Sequence, residues 1–581
     1  MRCRRLRRSA RLLACLLAVV ALLAACTGVP GESAPQVVRP LGEVSSGAAP
    51  SITPIQNADP RTIVQQFLQA NVSGSNDRHA AARAFLTSDA RGRWNDATAT
   101  VLDTYTVGVS DTSNNVVVSG HQIGSLDAHG VYTPDLTGDG SAGDAVQYTF
   151  VLRQDGGQWR IQQPPNGLLL QRTDFQAHYS VQPLYFFDLA QQRLVPDLRY
   201  TPLTGAQSLD SWRLTQLLGG PRPDLINAVQ QLPNQANNSR ASVTEGTPLT
   251  IELPGSSQLE TNTLNRLAAQ VAVNFDPDSA QLPLRITDSG KPVNVASVGT
   301  TFTRNEFPVA NASGIIPVLY YLNDKSQIVD QNGVALPGPV QTTHPALNRI
   351  AISGTDPSSY QVAATIGTAD AQRLLVGSIG TGLHDAGAVP GPLTAPSWAP
   401  NASEVWVGAG PSLVRVRSGQ APETVSLGSH SPAGATVLAL QLSPEGTRIA
   451  LVLATPDGGS SLWLGTLVRA GDSVRVDTLT DLTPAGLRIQ DVTWSGDANL
   501  YVLGTYAVSG AYGIWSLRCD GSALTERSHV GLPREPDSIA AAAGVVAWVS
   551  AGGAVFEQSR NNSWAGPSDS TTRGTGPTYA Q

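Results

Sequence analysis

Ser397-Trp398-Ala399-Pro400 is one of four short segments that recur along this sequence and decide its fold. The other copies are Ala351-Ile352-Ser353-Gly354, Gln441-Leu442-Ser443-Pro444 and Thr493-Trp494-Ser495-Gly496. Successive copies are 46, 44 and 52 residues apart when Ile352, Trp398, Leu442 and Trp494 are aligned. Each copy is followed by an apolar strand such as Val405-Trp406-Val407, and a weaker fifth copy begins near Ile539.

A period of about 40–50 residues built only of short strands is typical of a β-propeller. The sequence therefore predicts a propeller of five or six blades over residues 311–565, with a β-sandwich of coincidental spacing as the alternative. Residues 566–581 are polar and are predicted to form a disordered tail.

The block before the repeats, residues 179–292, alternates strands with helices. Leu184-Tyr185-Phe186-Phe187-Asp188 and Arg193–Tyr200 are predicted to form a hairpin, followed by a helix over Ser208–Leu218 that Gly219-Gly220-Pro221 ends. Two further strands, Leu249–Leu253 and Leu284–Thr287, flank a second helix that carries an apolar face. The order of these segments resembles the GerMN domain, an α+β module of spore-germination and envelope proteins.

The first block, residues 59–165, has helices followed by strands, which is an α+β pattern. Asp59 and Pro60 are an N-cap and a first helical residue, and Ile63, Val64, Phe67 and Leu68 form an apolar stripe. Farther on the period changes to two, and the segment ends in the hairpin Asp155–Ile161. This ending resembles the last hairpin of an NTF2-like domain. The predicted protein is thus multidomain, with an NTF2-like α+β domain, a GerMN α+β domain and a C-terminal β-propeller.

The N-terminal segment has the pattern of an export signal. Residues 1–11 carry six arginines, and Leu12–Ala25 is an apolar run of 14 residues, shorter than the roughly 20 that a membrane-spanning helix needs. The run ends Leu23-Ala24-Ala25-Cys26, which resembles a bacterial lipobox. That resemblance implies a signal peptide over residues 1–25 and lipidation of Cys26, with S-diacylglycerol on the thiol and an acyl chain such as palmitate on the new N-terminus. An ordinary signal peptide with a chance cysteine is the alternative.

Residues 26–58 are rich in Pro, Gly and Ser, and we expect them to form a flexible tether from the lipidated cysteine. Two chains, from the diacylglycerol, are enough for stable attachment to a membrane. The protein is therefore expected on the outer face of the plasma membrane.

Charge and composition exclude several classes of function. The net charge is −7, and it becomes −13 without the six arginines of the N-terminal segment. An acidic chain without a basic stripe argues against nucleic-acid binding. The four cysteines contain no CxxC pair, and Cys519 is expected to be a lone buried thiol.

No motif for catalysis, metal binding or cofactor binding stands out. None of the eight histidines forms HExxH, and GxSxG is absent. The repeated Trp398, Trp494 and Trp548 are expected to pack between blades rather than to bind sugars. We therefore predict no catalytic residues, no metal site, no cofactor and no enzymatic activity.

Lipobox, small N-terminal domain, GerMN domain and propeller together resemble one family, the LpqB-type lipoproteins of actinobacteria, over nearly the whole mature chain. The resemblance implies a membrane-attached accessory of the MtrA–MtrB two-component system that contacts the extracytoplasmic domain of an MtrB-like sensor histidine kinase. That pathway concerns envelope homeostasis and cell division. Of the residues quoted, only Cys26 and its lipobox carry a role over from the family.

Two other functions stay open at this point. A propeller can host a glycan-processing enzyme, which would need two carboxylates about 5–10 Å apart in an open cleft. Alternatively, the protein is a ligand-binding lipoprotein that captures a glycan, a peptide or a lipid, which would require a suitable pocket.

Overall fold

The computed structural model describes residues 52–580 except 73–78, 111–114, 136–142, 204, 233–239, 279, 311–315, 342–345, 369–370, 390, 401, 429, 457 and 567–572. The predicted signal peptide, the lipobox Leu23–Cys26 and most of the tether lie outside the described residues. No helix within the described ranges is long and apolar enough to cross a membrane.

The first domain places three helices against a mixed sheet. The helices are α1 (Pro60–Ala70), α2 (Ala80–Arg83) and α3 (Ser88–Arg93). The strands are β1 (Ala99–Val109), β2 (Val116–Leu126), β3 (Tyr132–Pro134), β4 (Asp144–Asp155), β5 (Gln158–Gln163) and β6 (Leu168–Gln171). Their order is β5-β4-β2-β1-β6, with β3 paired to β2. As predicted, Asp59 caps α1 by accepting a hydrogen bond from the Thr62 amide at 3.1 Å.

This domain continues past the predicted boundary at residue 165. Strand β6 pairs in parallel with β1, and helix α4 (Arg172–His178) adds Phe175 to the same core. The stretch Pro164-Pro165-Asn166-Gly167 reads as a linker in the sequence. A four-residue strand that pairs with a segment about 70 residues away leaves no local pattern to detect.

The second domain has the predicted order of strands and helices. It contains β7 (Ser180–Phe187), β8 (Leu194–Thr201), α5 (Ala206–Gly219), β9 (Ser242–Thr244), β10 (Leu249–Glu252), α6 (Thr261–Phe275), β11 (Leu284–Asp288) and β12 (Lys291–Pro292). Strands β7 and β8 form the hairpin, and the others form a sheet in the order β12-β11-β10-β9. Its core continues beyond the predicted end at residue 292, because Val295, Phe302 and Phe307 are buried in it.

The C-terminal domain is a six-bladed propeller. Its strands are β13 (Leu319–Asn323), β14 (Ile328–Asp330), β15 (Leu347–Ser353), β16 (Gln361–Ile366), β17 (Arg373–Ser378), β18 (Gly382–Asp385), β19 (Ser397–Trp398), β20 (Glu404–Ala409), β21 (Ser412–Arg417), β22 (Glu423–Val425), β23 (Thr436–Leu442), β24 (Arg448–Ala454), β25 (Ser460–Ala470), β26 (Ser473–Asp481), β27 (Leu487–Trp494), β28 (Asn499–Tyr506), β29 (Tyr512–Arg518), β30 (Thr525–Arg527), β31 (Ser538–Ala540), β32 (Trp548–Ala551), β33 (Ala554–Gln558), β34 (Trp564–Ala565) and β35 (Gly574–Tyr579).

Five blades are four-stranded antiparallel sheets, taken in order from β15 to β34, and the sixth is the three-stranded sheet β14-β13-β35. Strands β15, β19, β23, β27, β31 and β35 each contact the next, so that they form a closed inner ring. The repeated segments of the sequence lie at the ends of four of these inner strands.

The prediction of a disordered tail over 566–581 is wrong for residues 574–579. This segment is β35, and it pairs with β13 from the start of the domain, which closes the ring. The sequence Gly-Thr-Gly-Pro-Thr-Tyr has no apolar alternation, and its pairing strand lies more than 250 residues away. Its order therefore comes from the ring and not from local propensity.

Asp491 joins two neighbouring inner strands. Its carboxylate accepts hydrogen bonds from the amides of Val492 and Ile539, each at 2.9 Å. Burial raises the pKa of Asp491 to about 6, and these two hydrogen bonds and, to a smaller extent, Arg349 oppose the rise.

Because the folded state holds this proton more tightly than the unfolded chain, Asp491 stabilises the fold most below about pH 4. That contribution declines as the pH rises through about 6. We expect the stability of the wild type relative to Asp491→Asn to fall by about 2–3 kcal/mol between pH 4 and pH 7. Urea unfolding across this range measures the difference. An equal profile for the two proteins would contradict it, and Asp324→Asn, in an exposed turn, is the control.

Candidate functional site: the cavity at the propeller mouth

Strand β8 belongs to three hydrophobic cores at once. Val195 is buried in the core of the second domain, and Leu198 is buried among propeller residues that include Trp494 and Leu462. Tyr200 is buried in the core of the first domain. Successive parts of one strand therefore join all three domains.

A buried ion pair within this strand also bonds to main-chain groups of the first and second domains. Arg199 donates from Nε to Asp197 Oδ1 at 2.7 Å and from Nη2 to Oδ2 at 2.8 Å, and both residues are at most 2% exposed. The guanidinium also donates to the carbonyls of His129 at 3.2 Å and Gly220 at 3.0 Å. Asp197 accepts a further hydrogen bond from the Arg222 amide at 2.7 Å. The pair is thus well supplied with partners, as a buried ion pair requires.

Polar contacts hold the same hairpin on the propeller. Tyr200 donates its hydroxyl proton to Asp520 Oδ2 at 2.9 Å, and Arg448 donates to the carbonyl of Pro196. Arg193 Nη2 donates to the carbonyl of Pro400 at 2.9 Å. Pro400 directly follows an inner strand, so the second domain sits over the end of the ring where the repeated segments lie.

A cavity of about 610 Å³ lies between the second domain and this end of the propeller. Its propeller wall comes from the turns after the inner strands and includes Thr355, Pro400, Glu445, Asp497 and Ala542. Its other wall comes from the second domain and the segment that follows it, and it includes Tyr185, Arg193, Arg304, Pro308 and Val318.

Two carboxylates line the propeller wall. Glu445 is 7% exposed, and neither of its carboxylate oxygens accepts a hydrogen bond from the described residues. Its ion-pair contact is Arg448, at 3.4 Å between Oε1 and Nη1. Burial raises the pKa of Glu445 and that of Asp497, and Arg448 opposes both shifts.

The arginines of the cavity are held by main-chain carbonyls. Arg193 donates to the carbonyl of Pro400, as described above. Arg304 donates to the carbonyls of Asp276 at 3.0 Å and Pro277 at 2.9 Å, the two residues that follow helix α6. Burial lowers the pKa of Arg193, and Asp188 and Glu445 oppose the shift.

The repeated tryptophans pack between blades, as the sequence predicts. Trp494 and Trp548 are buried, and the Trp494 indole donates to the carbonyl of Gln441 in the neighbouring inner strand at 3.2 Å. The Trp398 indole donates likewise to Ala351 at 3.2 Å, but its ring is only partly buried and lines the cavity.

The remaining predicted residues fall elsewhere. Leu23, Ala24, Ala25 and Cys26 lie outside the described residues. Cys519 is a free buried thiol, as expected, and burial raises its pKa to about 11. Within the described ranges, no group of three or more His, Cys, Asp or Glu side chains is placed to hold a metal ion.

Sequence reasoning missed Glu445 and Asp497, although a signal was present. Each follows a repeated segment, Ser443-Pro444 or Ser495-Gly496, and equivalent turns of a propeller lie at one end of the ring. The arginines opposite them carry no such signal, since their position depends on how the domains pack.

Comparisons with known proteins match two parts of the chain to family models. Residues 53–176 match "Lipoprotein LpqB, N-terminal domain", and residues 326–580 match "Lipoprotein LpqB beta-propeller domain".

Similar whole proteins include Lipoprotein LpqB of Mycolicibacterium smegmatis, 30% identical over 75% of this chain and 77% of that protein. Lipoprotein LpqB of Rhodococcus jostii is 26% identical over 84% of each chain. Among solved structures, TolB from Acinetobacter baumannii is 13% identical and covers 56% of this chain and 86% of its own, with a TM-score of 0.34.

We expect Asp197→Ala to destabilise the protein by about 3–5 kcal/mol, because the substitution leaves the buried Arg199 without its counter-charge. The measurement is denaturant unfolding followed by tryptophan fluorescence. Arg373→Ala is the control, because it breaks an exposed ion pair in which the side chains of Arg373 and Asp385 are 61% and 41% exposed. This substitution should lower the free energy of unfolding by at most about 1 kcal/mol. Similar losses for both variants would contradict the role assigned to the buried pair.

Proposed function

Because the chain belongs to the LpqB lipoprotein family, we propose that it is a lipid-anchored extracytoplasmic protein that regulates a sensor histidine kinase of the MtrB type without catalysing a reaction. The regulated pathway would serve envelope homeostasis and cell division. The observation that carries this proposal is strand β8, which holds three domains as one body and so gives a large surface of fixed shape.

The anchor proposed for this body is the lipid on Cys26. Cleavage after Leu23-Ala24-Ala25 would leave Cys26 as the N-terminus, with the tether of residues 26–58 between the membrane and the first domain. Confinement near a membrane raises the effective concentration of the protein toward membrane-bound partners, so a modest affinity is sufficient. A kinase ectodomain at the same membrane surface meets this condition.

The carboxylates Glu445 and Asp497 support a second candidate, a glycan-processing enzyme, because such enzymes use two carboxylates. The surroundings of Glu445 favour binding instead. Its oxygens are buried and face Arg448, which leaves Asp497 as the carboxylate of this pair that a substrate reaches more easily. Loss of a glycan-cleaving turnover in Asp497→Asn would favour the enzyme.

We expect Cys26→Ala to move the protein out of the membrane fraction and to slow removal of the signal peptide, since the thiol that receives the lipid is gone. Fractionation followed by mass spectrometry of the N-terminal peptide measures both effects. Cys15→Ala lies in the same apolar run and should leave anchoring unchanged. A Cys26→Ala protein that is processed and sediments with membranes would exclude the lipid anchor.

We also expect the mature protein to crosslink to the kinase ectodomain in cells. Lysine is present only at positions 291 and 325, so a photoreactive amino acid is the suitable probe. Val109, Ile226 and Val508 are exposed positions that sample the first domain, the second domain and the propeller. The kinase should be captured from at least one of them.

The purified mature ectodomain should also bind the purified kinase ectodomain. With the photoreactive amino acid at each of the three positions in turn, it should crosslink best from the position that captures the kinase best in cells. Binding absent both in cells and between the purified ectodomains would contradict the proposal. Capture of the kinase only from Cys26→Ala cells would contradict the membrane-confined form of the proposal.

A further inference from the structure

We propose that the cavity between the second domain and the propeller binds an organic cation, an ammonium or guanidinium group on a flat apolar body, with Asp497 as its direct partner and Glu445 as a second negative charge behind it. This inference does not depend on the kinase. The two proposals can therefore fail separately.

The size and lining of the cavity fit a small molecule or one side chain. Its volume of about 610 Å³ lies within the range of about 300–1,000 Å³ that is usual for ligand sites. Pro308, Val318 and Ala542 provide apolar surface around a few charged groups. This mixture of apolar wall and sparse polar groups is typical of sites that fix the orientation of a ligand.

The hydrogen-bonding capacity of the charged groups favours a cation over an anion. Arg193 and Arg304 each donate to main-chain carbonyls, which holds their guanidinium groups at the wall of the cavity. Glu445, in contrast, is more than nine-tenths buried and has no hydrogen bond to either oxygen from the described part of the chain. Glu445 is enclosed beside Arg448, at 3.4 Å between Oε1 and Nη1, so a donor brought by a ligand bonds to Asp497.

Asp497 is the group that a ligand can reach. It lies in the turn after β27 and is exposed at the cavity wall, whereas Glu445 is enclosed. Burial and, to a smaller extent, the negative charge of Asp497 raise the pKa of Glu445. A cation beside Asp497 relieves this repulsion.

Aromatic rings line the same cavity as these charges. Trp398 lines the cavity with a ring held in place by its bond to Ala351. Tyr185 lines the opposite wall, where burial and, to a smaller extent, the charge of Asp497 raise its pKa. Cations bind to the faces of such rings, and the gain is larger where water is partly excluded.

The test compares three probes of one shape: benzylammonium, benzyl alcohol and benzoate. Saturation-transfer NMR on the mature lipoprotein in a zwitterionic detergent measures their binding. We expect benzylammonium to bind at least about tenfold more tightly than the other two, as one charge-assisted hydrogen bond allows. Equal binding of benzyl alcohol, or tighter binding of benzoate, would overturn the proposal.

Matched variants locate the site. Asp497→Asn keeps the shape of the side chain and should weaken benzylammonium binding about tenfold or more. Asp324→Asn removes an exposed carboxylate outside the cavity and should change nothing. Thermal unfolding of both variants shows that the fold is kept. Unchanged binding to a folded Asp497→Asn protein would also overturn the proposal.

The peptide N-acetyl-Ala-Arg-Ala-amide distinguishes two sources of the cation. Tighter binding of the peptide than of benzylammonium indicates a basic side chain of a protein, and the reverse order indicates a free amine. Either order supports the site if Asp497→Asn weakens it. Failure of both probes to bind would exclude it.

Discussion

One eight-residue strand sets the arrangement of the whole described chain. Strand β8 buries Val195, Leu198 and Tyr200 in three different cores, and its only internal charges, Asp197 and Arg199, neutralise each other. Moving a domain away from this strand would expose apolar surface of its core, and moving the first domain would also remove the hydrogen bond from the buried Arg199 to the carbonyl of His129. Such rearrangements are costly, because burial of an unpaired charge is among the largest penalties in proteins.

The fixed position of the second domain has a consequence for the propeller. It places Tyr185 and Arg193 over the end of the inner ring, where an isolated propeller would have an open mouth. The turns that carry Glu445 and Asp497 therefore face protein on one side, and burial raises the pKa values of both carboxylates. The cavity belongs to neither domain alone, and its chemistry depends on their packing.

The closed ring of the propeller keeps the surface of this domain in a fixed shape. The propeller ring is closed by a strand from the end of the chain, and the ends of a ring closed in this way cannot separate without breaking the β13–β35 pairing. Held by the lipid that we propose on Cys26, such a body would present the same surface repeatedly to neighbours at the membrane. This arrangement would suit the recognition that we propose.

The sequence by itself determined the local elements and their order. Periodicity and caps located α1, the β7–β8 hairpin and the blades, because these features depend on neighbours within a few residues. The sequence also predicts lipidation of Cys26, which lies outside the described residues. Three features became known only from the tertiary structure. They are the presence of a sixth blade, the pairing of strand β6 with β1, and the position of Arg193 in the same cavity as Glu445 and Asp497. These features depend on contacts between segments that are far apart in the sequence, from about 70 residues to more than 250. Such contacts produce no periodic pattern in the sequence.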